Sequence, residues 1–171
     1  MIFWLIGISG SGKTTLGKML SKYLNINNIT NIVIDGDEVR NTFDNDLGYT
    51  KEERVQNIKR ILLAAYFLEK TKTVTIICNI SPFEELRVLA RNKIKSYHQI
   101  YLEKNLNRAI KNDVKGVYDF NKDKTDLVGI DIDFDYPKQS ELVINTDDTS
   151  IDDSLDILIK YFKKSYESES K

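Results

Sequence analysis

The sequence is poor in the residues that mark disulfide-rich, metal-clustered or membrane-spanning proteins. It has one cysteine, Cys78, and one histidine, His98, among 171 residues. A single cysteine excludes an intramolecular disulfide and is typical of a reducing compartment, so we expect a cytoplasmic protein. The histidine has no Cys or His neighbour in the sequence, which favours a structural role over metal binding.

An excess of one charge sign is also lacking. The chain carries 25 basic and 26 acidic residues, a net charge of −1. This balance excludes a global field that would attract nucleic acid or an anionic membrane. No apolar run approaches the length of about 20 residues that a membrane helix needs. We therefore expect neither a nucleic-acid partner nor a membrane partner.

Short β-rich apolar runs alternate with longer segments of helical periodicity. The predicted strands are residues 2–6, 32–34, 74–78, 99–102 and 142–145. The predicted helices are residues 13–24, 51–69, 83–95 with Pro82 in the first turn, 103–112 and 151–162. Apolar runs without clean alternation suit strands buried on both faces of a parallel sheet. The pattern predicts a three-layer α/β fold with a central parallel five-stranded sheet.

The length suits one domain, so we expect residues 1–171 to form a single domain. Residues 113–138 fit neither the helix nor the strand pattern and are rich in Asp and Lys. Loops of this length in a compact domain are typical of lids and binding loops, and we predict a lid there.

A phosphate-binding loop lies between the first predicted strand and the first predicted helix. Residues 7–14 match the pattern G-x-x-x-x-G-K-[ST] in full. Glycines let backbone N–H groups surround phosphate oxygens, Lys13 would place a charge on the β- and γ-phosphates, and the Thr14 hydroxyl would ligate Mg²⁺. We predict ATP with Mg²⁺ as phosphoryl donor and Lys13 as a catalytic residue. The predicted ATP-binding residues are Gly7, Ser9, Gly10, Ser11, Gly12, Lys13, Thr14 and Thr15.

A second polar motif, Asp35-Gly36-Asp37-Glu38-Val39-Arg40, follows the second predicted strand. In a parallel sheet this places it at the same edge as the phosphate loop. Two carboxylates and an arginine there can hold a Mg²⁺-bound water, accept a hydroxyl proton and clamp an anion. The motif also suits an Asp-Gly turn with a helix cap, so alone it leaves both interpretations open.

Further motifs follow in order along the chain. They are Asp46-Leu47-Gly48-Tyr49, Arg54 with Gln56-Asn57 and Arg60, Ile80-Ser81-Pro82, and Lys115-Gly116-Val117-Tyr118. With the two preceding motifs, they resemble the adenylylsulfate kinase family from residue 2 to about residue 146. The resemblance implies an ATP-dependent phosphotransferase that acts on the 3′-hydroxyl of a nucleotide acceptor, adenylylsulfate in most of the family. It also implies a homodimer.

The resemblance assigns roles to individual residues. Asp35 and Asp37 resemble the acidic pair that positions Mg²⁺ and activates the acceptor hydroxyl, with Asp35 and Thr14 as metal ligands. Arg40 and Arg54 resemble the arginines that grip the acceptor's phosphoryl-sulfate group. The positions similar to the acceptor-binding set are Asp37, Arg40, Tyr49, Arg54, Asn57, Ile80, Ser81, Lys115 and Leu127.

Two departures from the family pattern concern base recognition. Asn112 replaces the arginine that packs on the adenine of ATP, and Leu127 replaces the lid phenylalanine on the acceptor base. Loss of an aromatic partner removes about 1–3 kcal/mol of base stacking. Some members of the family phosphorylate cytidine diphosphoramidate for surface polysaccharide, and a pocket between Tyr49 and Leu127 suits a smaller pyrimidine. Both acceptors therefore stay open.

Two other classes of function compete with a nucleotide 3′-kinase. A non-catalytic ATP-binding paralogue is disfavoured because Lys13, Thr14, Asp35 and Asp37 are all present. A P-loop kinase for another small molecule is disfavoured by the D-G-D-x-x-R and I-S-P motifs. The alternating acidic residues at 131, 133 and 135 lack the EF-hand glycine and glutamate, so we interpret them as a lid edge, with Asp131 as an orienting residue.

Overall fold

The fold was analysed in a computed structural model, which describes residues 1–113, 116–118 and 126–169. Five parallel strands form one sheet in the order β2-β3-β1-β4-β5. The strands are β1 (Ile2–Ile6), β2 (Asn31–Asp35), β3 (Val74–Cys78), β4 (Tyr97–Glu103) and β5 (Leu142–Asn145). The helices are α1 (Lys13–Ile26), α2 (Gly36–Thr42), α3 (Lys51–Leu68), α4 (Glu84–Lys93), α5 (Leu106–Lys111) and α6 (Ile151–Glu169). The predicted three-layer fold with a central parallel five-stranded sheet is confirmed.

Apolar cores on both faces of the sheet explain why the strands lack alternation. All five residues of β1 are buried. Trp4 and Ile6 pack with residues of α3 and α4, while Phe3 and Leu5 pack with residues of α1 and α6. Each fully buried side chain of this size contributes about 1.5–3 kcal/mol of burial free energy. The central strand therefore holds the two helical layers together.

The predicted helix boundaries that were wrong include the start of α4 and the end of α6. Pro82 was expected inside a helix, but α4 begins at Glu84 and Phe83 is its extended N-cap residue. The carbonyl of Pro82 instead accepts a hydrogen bond from the Asp135 amide at 2.9 Å. Helix α6 runs to Glu169 rather than ending at residue 162. The chain turns at Pro82 because a distant segment bonds it, which no local pattern reveals.

His98 has the structural role predicted for it. Its ring stacks on Phe3 with centroids 4.9 Å apart, and its Nδ1 lies 2.8 Å from the Tyr161 hydroxyl. Its Nε2 lies 2.9 Å from a Glu169 carboxylate oxygen. These contacts attach the end of α6 to the start of β4, at the edge of the sheet opposite the phosphate loop.

None of the helices in the described ranges has both the length and the apolar composition needed to cross a bilayer.

The carboxyl ends of the strands meet at the other edge. The phosphate loop follows β1, Asp35 ends β2, and residues 79–81 follow β3. Because β1 lies between β3 and β4, the loop opens at the centre of this edge. Open parallel sheets bind ligands in the crevice outside the carboxyl ends of their strands, so this is where a site is expected.

Gly17 lets α1 approach β3 closely, because it has no side chain to contact Cys78. A Cβ at Gly17 would lie 2.4 Å from Cys78 Sγ. We expect Gly17→Ala to lower the free energy of unfolding by about 1–2 kcal/mol, because overpacking outweighs the helix-propensity gain of about 1 kcal/mol. Chemical denaturation measures the change. In a Cys78→Ala background the sulfur is gone, and the same substitution should lose most of its cost; an equal cost in both backgrounds would contradict this contact.

Candidate active site

The phosphate loop adopts backbone conformations that favour glycine. Gly10 and Gly12 have φ of 77° and 90°, in the left-handed region. The Lys13 ammonium donates to the carbonyls of Gly7 at 2.8 Å and Ile8 at 2.7 Å. The loop therefore surrounds its own lysine, and this cation lies where phosphate oxygens would approach the backbone N–H groups at the start of α1.

The predicted ATP-binding residues divide into two groups. Gly7 and Ser11 are packed beneath the loop: Ser11 is 1% exposed, and a Cβ at Gly7 would lie 2.5 Å from the Leu102 carbonyl oxygen. The other members face a cavity of about 840 Å³. They are Ser9, Gly10, Gly12, Lys13, Thr14 and Thr15.

Asp35 connects the phosphate loop to the second polar motif. Its Oδ2 accepts from the Thr14 hydroxyl at 2.8 Å, and its Oδ1 accepts from the Asp37 amide at 2.9 Å. The second bond makes Asp35 the N-cap of α2. The predicted helix cap is confirmed, and the residue that caps the helix also lines the cavity with Asp37, while the catalytic role of the motif stays a prediction.

A hydroxyl and a carboxylate in contact are hard oxygen donors, which is the donor type that Mg²⁺ prefers. Within residues 1–113, 116–118 and 126–169, no group of three or more His, Cys, Asp and Glu side chains is placed to hold a metal ion. Mg²⁺ usually keeps several waters and binds through one or two protein ligands and substrate phosphates. The pair Thr14 and Asp35 fits that mode of binding.

Two arginines share one aromatic ring on the other side of the cavity. The guanidinium carbons of Arg40 and Arg54 lie 4.7 Å and 5.2 Å from the centroid of the Tyr49 ring. Burial lowers the pKa of both groups, and at Arg54 the charge of Arg40 lowers the pKa further. Two partly dehydrated like charges held together form a site that an anion would stabilise.

Three predicted acceptor residues lie at or behind the cavity wall. Ile80 lines the cavity, whereas Asn57 and Ser81 do not. Asn57 donates to the Gly36 carbonyl at 3.0 Å, and its Oδ1 is buried without a hydrogen-bond partner among the described residues. Ser81 has φ of 47°, and its hydroxyl oxygen accepts from Trp4 Nε1 at 2.9 Å. In this structure the side chains of Asn57 and Ser81 bond to residues of the protein and do not face the cavity.

The predicted lid is described only in part. Leu127 lines the cavity and packs with Ile8, Ala109 and Tyr118. Lys115 lies outside the described residues, so its predicted acceptor contact stays a prediction. The phosphate loop, the acidic pair, Arg40, Tyr49, Arg54, Ile80 and Leu127 therefore share one cavity, and residues that are far apart in sequence meet there.

Sequence reasoning missed several residues that complete the cavity wall. Lys18 stands four residues after Thr14 in α1, so helical spacing alone could have placed it on the same face. Pro82, Asn112 and Val117 belong to motifs quoted above but were not predicted as site residues, and the remaining residues carried no motif signal. The wall residues that were not predicted as site residues are Lys18, Met19, Ile58, Cys78, Asn79, Pro82, Asn112, Asp113 and Val117.

Cys78 lies in the cavity wall without the character of a nucleophile. Its thiol donates to the Lys13 carbonyl at 3.3 Å. Burial, with a smaller contribution from the charge of Asp35, raises the pKa of the thiol from 9.0 to about 12. A thiol that stays protonated near neutral pH behaves as a small buried apolar group.

Comparison with known proteins identifies the family. The family model for adenylylsulphate kinase matches residues 1–145. The chain belongs to the adenylylsulphate kinase family. Its relatives in this family include an adenylyl-sulfate kinase of Bacillus pumilus, 34% identical over 167 residues, which cover 95% of this chain and 85% of that protein.

Two further similarities bear on the acceptor. A cytidine diphosphoramidate kinase of Campylobacter jejuni is 32% identical over 161 residues, which cover 93% of this chain and 94% of that protein. The fold superposes on Mycobacterium tuberculosis APS kinase CysC, solved in complex with AMPPNP and APS, with a TM-score of 0.87. That structure is 28% identical, and the match covers 95% of this chain and 96% of the solved chain. The proteins similar to this chain thus include kinases that are named for two different acceptors.

Proposed function

We propose that this chain transfers the γ-phosphoryl group of ATP to the 3′-hydroxyl of a nucleotide acceptor, in the manner of an adenylylsulfate kinase. The observation that carries the proposal is the single cavity that joins the phosphate loop, the Asp35–Asp37 pair and the Arg40–Arg54 pair. Phosphoryl transfer requires positioning and charge neutralisation of two anionic substrates, and this cavity is lined by Lys13, Arg40 and Arg54 together with a carboxylate pair.

In the proposed reaction the phosphate loop and Lys13 hold the donor phosphates. Thr14 and Asp35 would hold Mg²⁺, and a bound Mg²⁺ would supply neutralisation of the charge on the phosphates. Asp37 accepts the proton of the acceptor hydroxyl while that oxygen bonds to the γ-phosphorus. The bond from phosphorus to the β-γ bridging oxygen breaks, and ADP leaves. Arg40 and Arg54 hold the anionic group of the acceptor, and Tyr49 and Leu127 contact its base.

We also propose that residues 1–171 act as one cytoplasmic kinase domain whose lid is formed by residues 113–138. The single, buried cysteine supports a reducing location. Leu127 supports the lid, since this residue belongs to that range and lines the cavity.

Two acceptors fit the proposal. Adenylylsulfate is favoured by the relative from Bacillus pumilus and by the superposition on the Mycobacterium tuberculosis enzyme. Cytidine diphosphoramidate, used in surface-polysaccharide synthesis, is favoured by the Campylobacter jejuni relative and by Leu127, which offers no aromatic face. An assay with ATP, Mg²⁺ and each acceptor, with ADP and the 3′-phosphorylated product measured, decides between them. Turnover of neither would favour a non-catalytic paralogue.

Leu127→Phe tests how the base is selected. A second aromatic wall should raise kcat/KM for adenylylsulfate about tenfold, because base stacking on an aromatic side chain is worth about 1–3 kcal/mol. Leu127→Met keeps the volume and the apolar character, and it should leave kcat/KM for both acceptors close to wild type. If the phenylalanine variant gains nothing for adenylylsulfate, Leu127 is not a determinant of acceptor choice.

Asp37→Asn tests the proposed base. Loss of the proton acceptor should lower kcat about 100-fold or more, while ATP binding measured by calorimetry is kept. Lys13→Ala should instead weaken ATP binding as well as turnover, because it removes the cation from the donor phosphates. Glu38→Gln is a matched control, since Glu38 is an exposed carboxylate next to Asp37 that does not line the cavity. A kcat for Asp37→Asn near that of wild type would exclude the proposed role.

We further propose that the chain forms a homodimer, as the family resemblance implies. Support comes from α3, where Leu63 and Phe67 are 60% and 58% exposed although both are large and apolar. Light scattering should give twice the mass of 19.8 kDa. Phe67→Glu should reduce it to the mass of one chain if this face forms the interface, and a dimeric Phe67→Glu would place the interface elsewhere.

A further inference from the structure

Two segments from distant parts of the chain line the acceptor side of the cavity, and we call them the Tyr49 wall and the Leu127 wall. Tyr49 belongs to the loop before α3, and Leu127 belongs to the turn 127–132; both line the cavity. One buried side chain bonds to both segments. Arg54 is 8% exposed, and it donates from Nε to the Tyr49 carbonyl and from Nη2 to the Asp126 carbonyl, each at 2.8 Å. Because the guanidinium is planar and rigid, it fixes the spacing of the two carbonyls.

The Tyr49 wall is held by side chains of α2 and α3. Arg40 Nη1 donates to the Gly48 carbonyl at 2.6 Å. Thr50 caps α3 in a capping box, in which Glu53 Oε2 accepts from the Thr50 amide at 3.0 Å. Tyr49 therefore lies between two anchored residues, and its carbonyl is a fixed reference point for Arg54.

The Leu127 wall is held by its own turn. The Leu127 carbonyl accepts from the amides of Ile130, Asp131 and Ile132 at 3.1, 2.8 and 3.1 Å. The Leu127 amide donates to the Asp131 carboxylate at 2.9 Å. Gly129, with φ of 93°, lets the chain reverse within this turn. Both backbone polar groups of Leu127 are thus bonded to the segment that follows it, and Asp131 takes part at both.

We infer that Asp131 is a positioning residue for the acceptor: its carboxylate holds Leu127 at the distance from Tyr49 that the acceptor base requires. This inference rests on the proposed function. Asp131 is an exposed residue that does not line the cavity, so it acts through Leu127 and not by contact with substrate. Arg54 supplies the fixed spacing between the backbones of the two walls, and Asp131 supplies the orientation of the second wall. Residue 131 therefore controls acceptor affinity and acceptor choice without controlling ATP binding.

The test compares Asp131→Ala, Asp131→Asn and Asp133→Ala in the full chain, with steady-state kinetics for ATP, adenylylsulfate and cytidine diphosphoramidate. Asp131→Ala should raise the acceptor KM about tenfold, the size expected for loss of a hydrogen bond to a charged group. The KM for ATP should stay within about twofold, since the phosphate loop is untouched. Asp131→Asn keeps an oxygen that can accept from the Leu127 amide, and it should recover most of the acceptor KM.

Asp133→Ala is the matched control, because Asp133 is an exposed carboxylate of the same segment that does not line the cavity. It should leave all constants near wild type. Hydrogen exchange of the Leu127 amide gives a second readout, with faster exchange in Asp131→Ala and near-native exchange in Asp131→Asn.

The outcomes separate the inference from the proposed function. A wild-type chain that turns over neither acceptor refutes the proposed function and the inference with it. A wild-type chain that is active, with Asp131→Ala showing an unchanged acceptor KM, refutes the inference alone. An equal rise in the KM values for ATP and acceptor would also overturn it, because that result would mean a general loss of structure.

Discussion

The carboxylate of Asp35 makes the interaction on which the site depends. One oxygen accepts from the Thr14 hydroxyl at the start of α1, and the other accepts from the Asp37 amide at the start of α2. Helices α1 and α2, which follow two different strands, are thereby both bonded to the same carboxylate. The start of α1 and the start of α2 meet at this residue, so their relative position is set by two hydrogen bonds and by the parallel pairing of the strands beneath them.

Charge is organised locally in a molecule that is almost neutral. The net charge is −1, yet Lys13, Lys18, Arg40 and Arg54 all line one cavity. The two arginines bond to backbone carbonyls and lie against the Tyr49 ring, and no ion pair of either is found in the described part of the chain. Such cations keep their positive potential for a ligand, because a carbonyl or a ring face does not cancel a charge as a carboxylate does.

Sequence patterns were sufficient to predict the features that are formed by contiguous residues. The phosphate loop and the strands at residues 2–6 and 74–78 could be predicted because glycine spacing and buried apolar runs are local signals. Helix α2 was not predicted, because the D-G-D motif reads equally as a turn until the cap by Asp35 is seen. Cys78 and Asn79 were missed as wall residues because their place depends on how closely α1 and α2 approach β3. Phe83 was misplaced because a segment about 50 residues later bonds Pro82.

The bond from Trp4 to Ser81 has a practical consequence. Trp4 is the only tryptophan of the chain and is 2% exposed, and its indole N–H donates to the hydroxyl of a residue next to Ile80, which lines the cavity. Indole emission is sensitive to hydrogen bonding and to nearby charge. The protein therefore carries a built-in optical reporter next to the cavity, which would follow movement of the segment after β3 without any label.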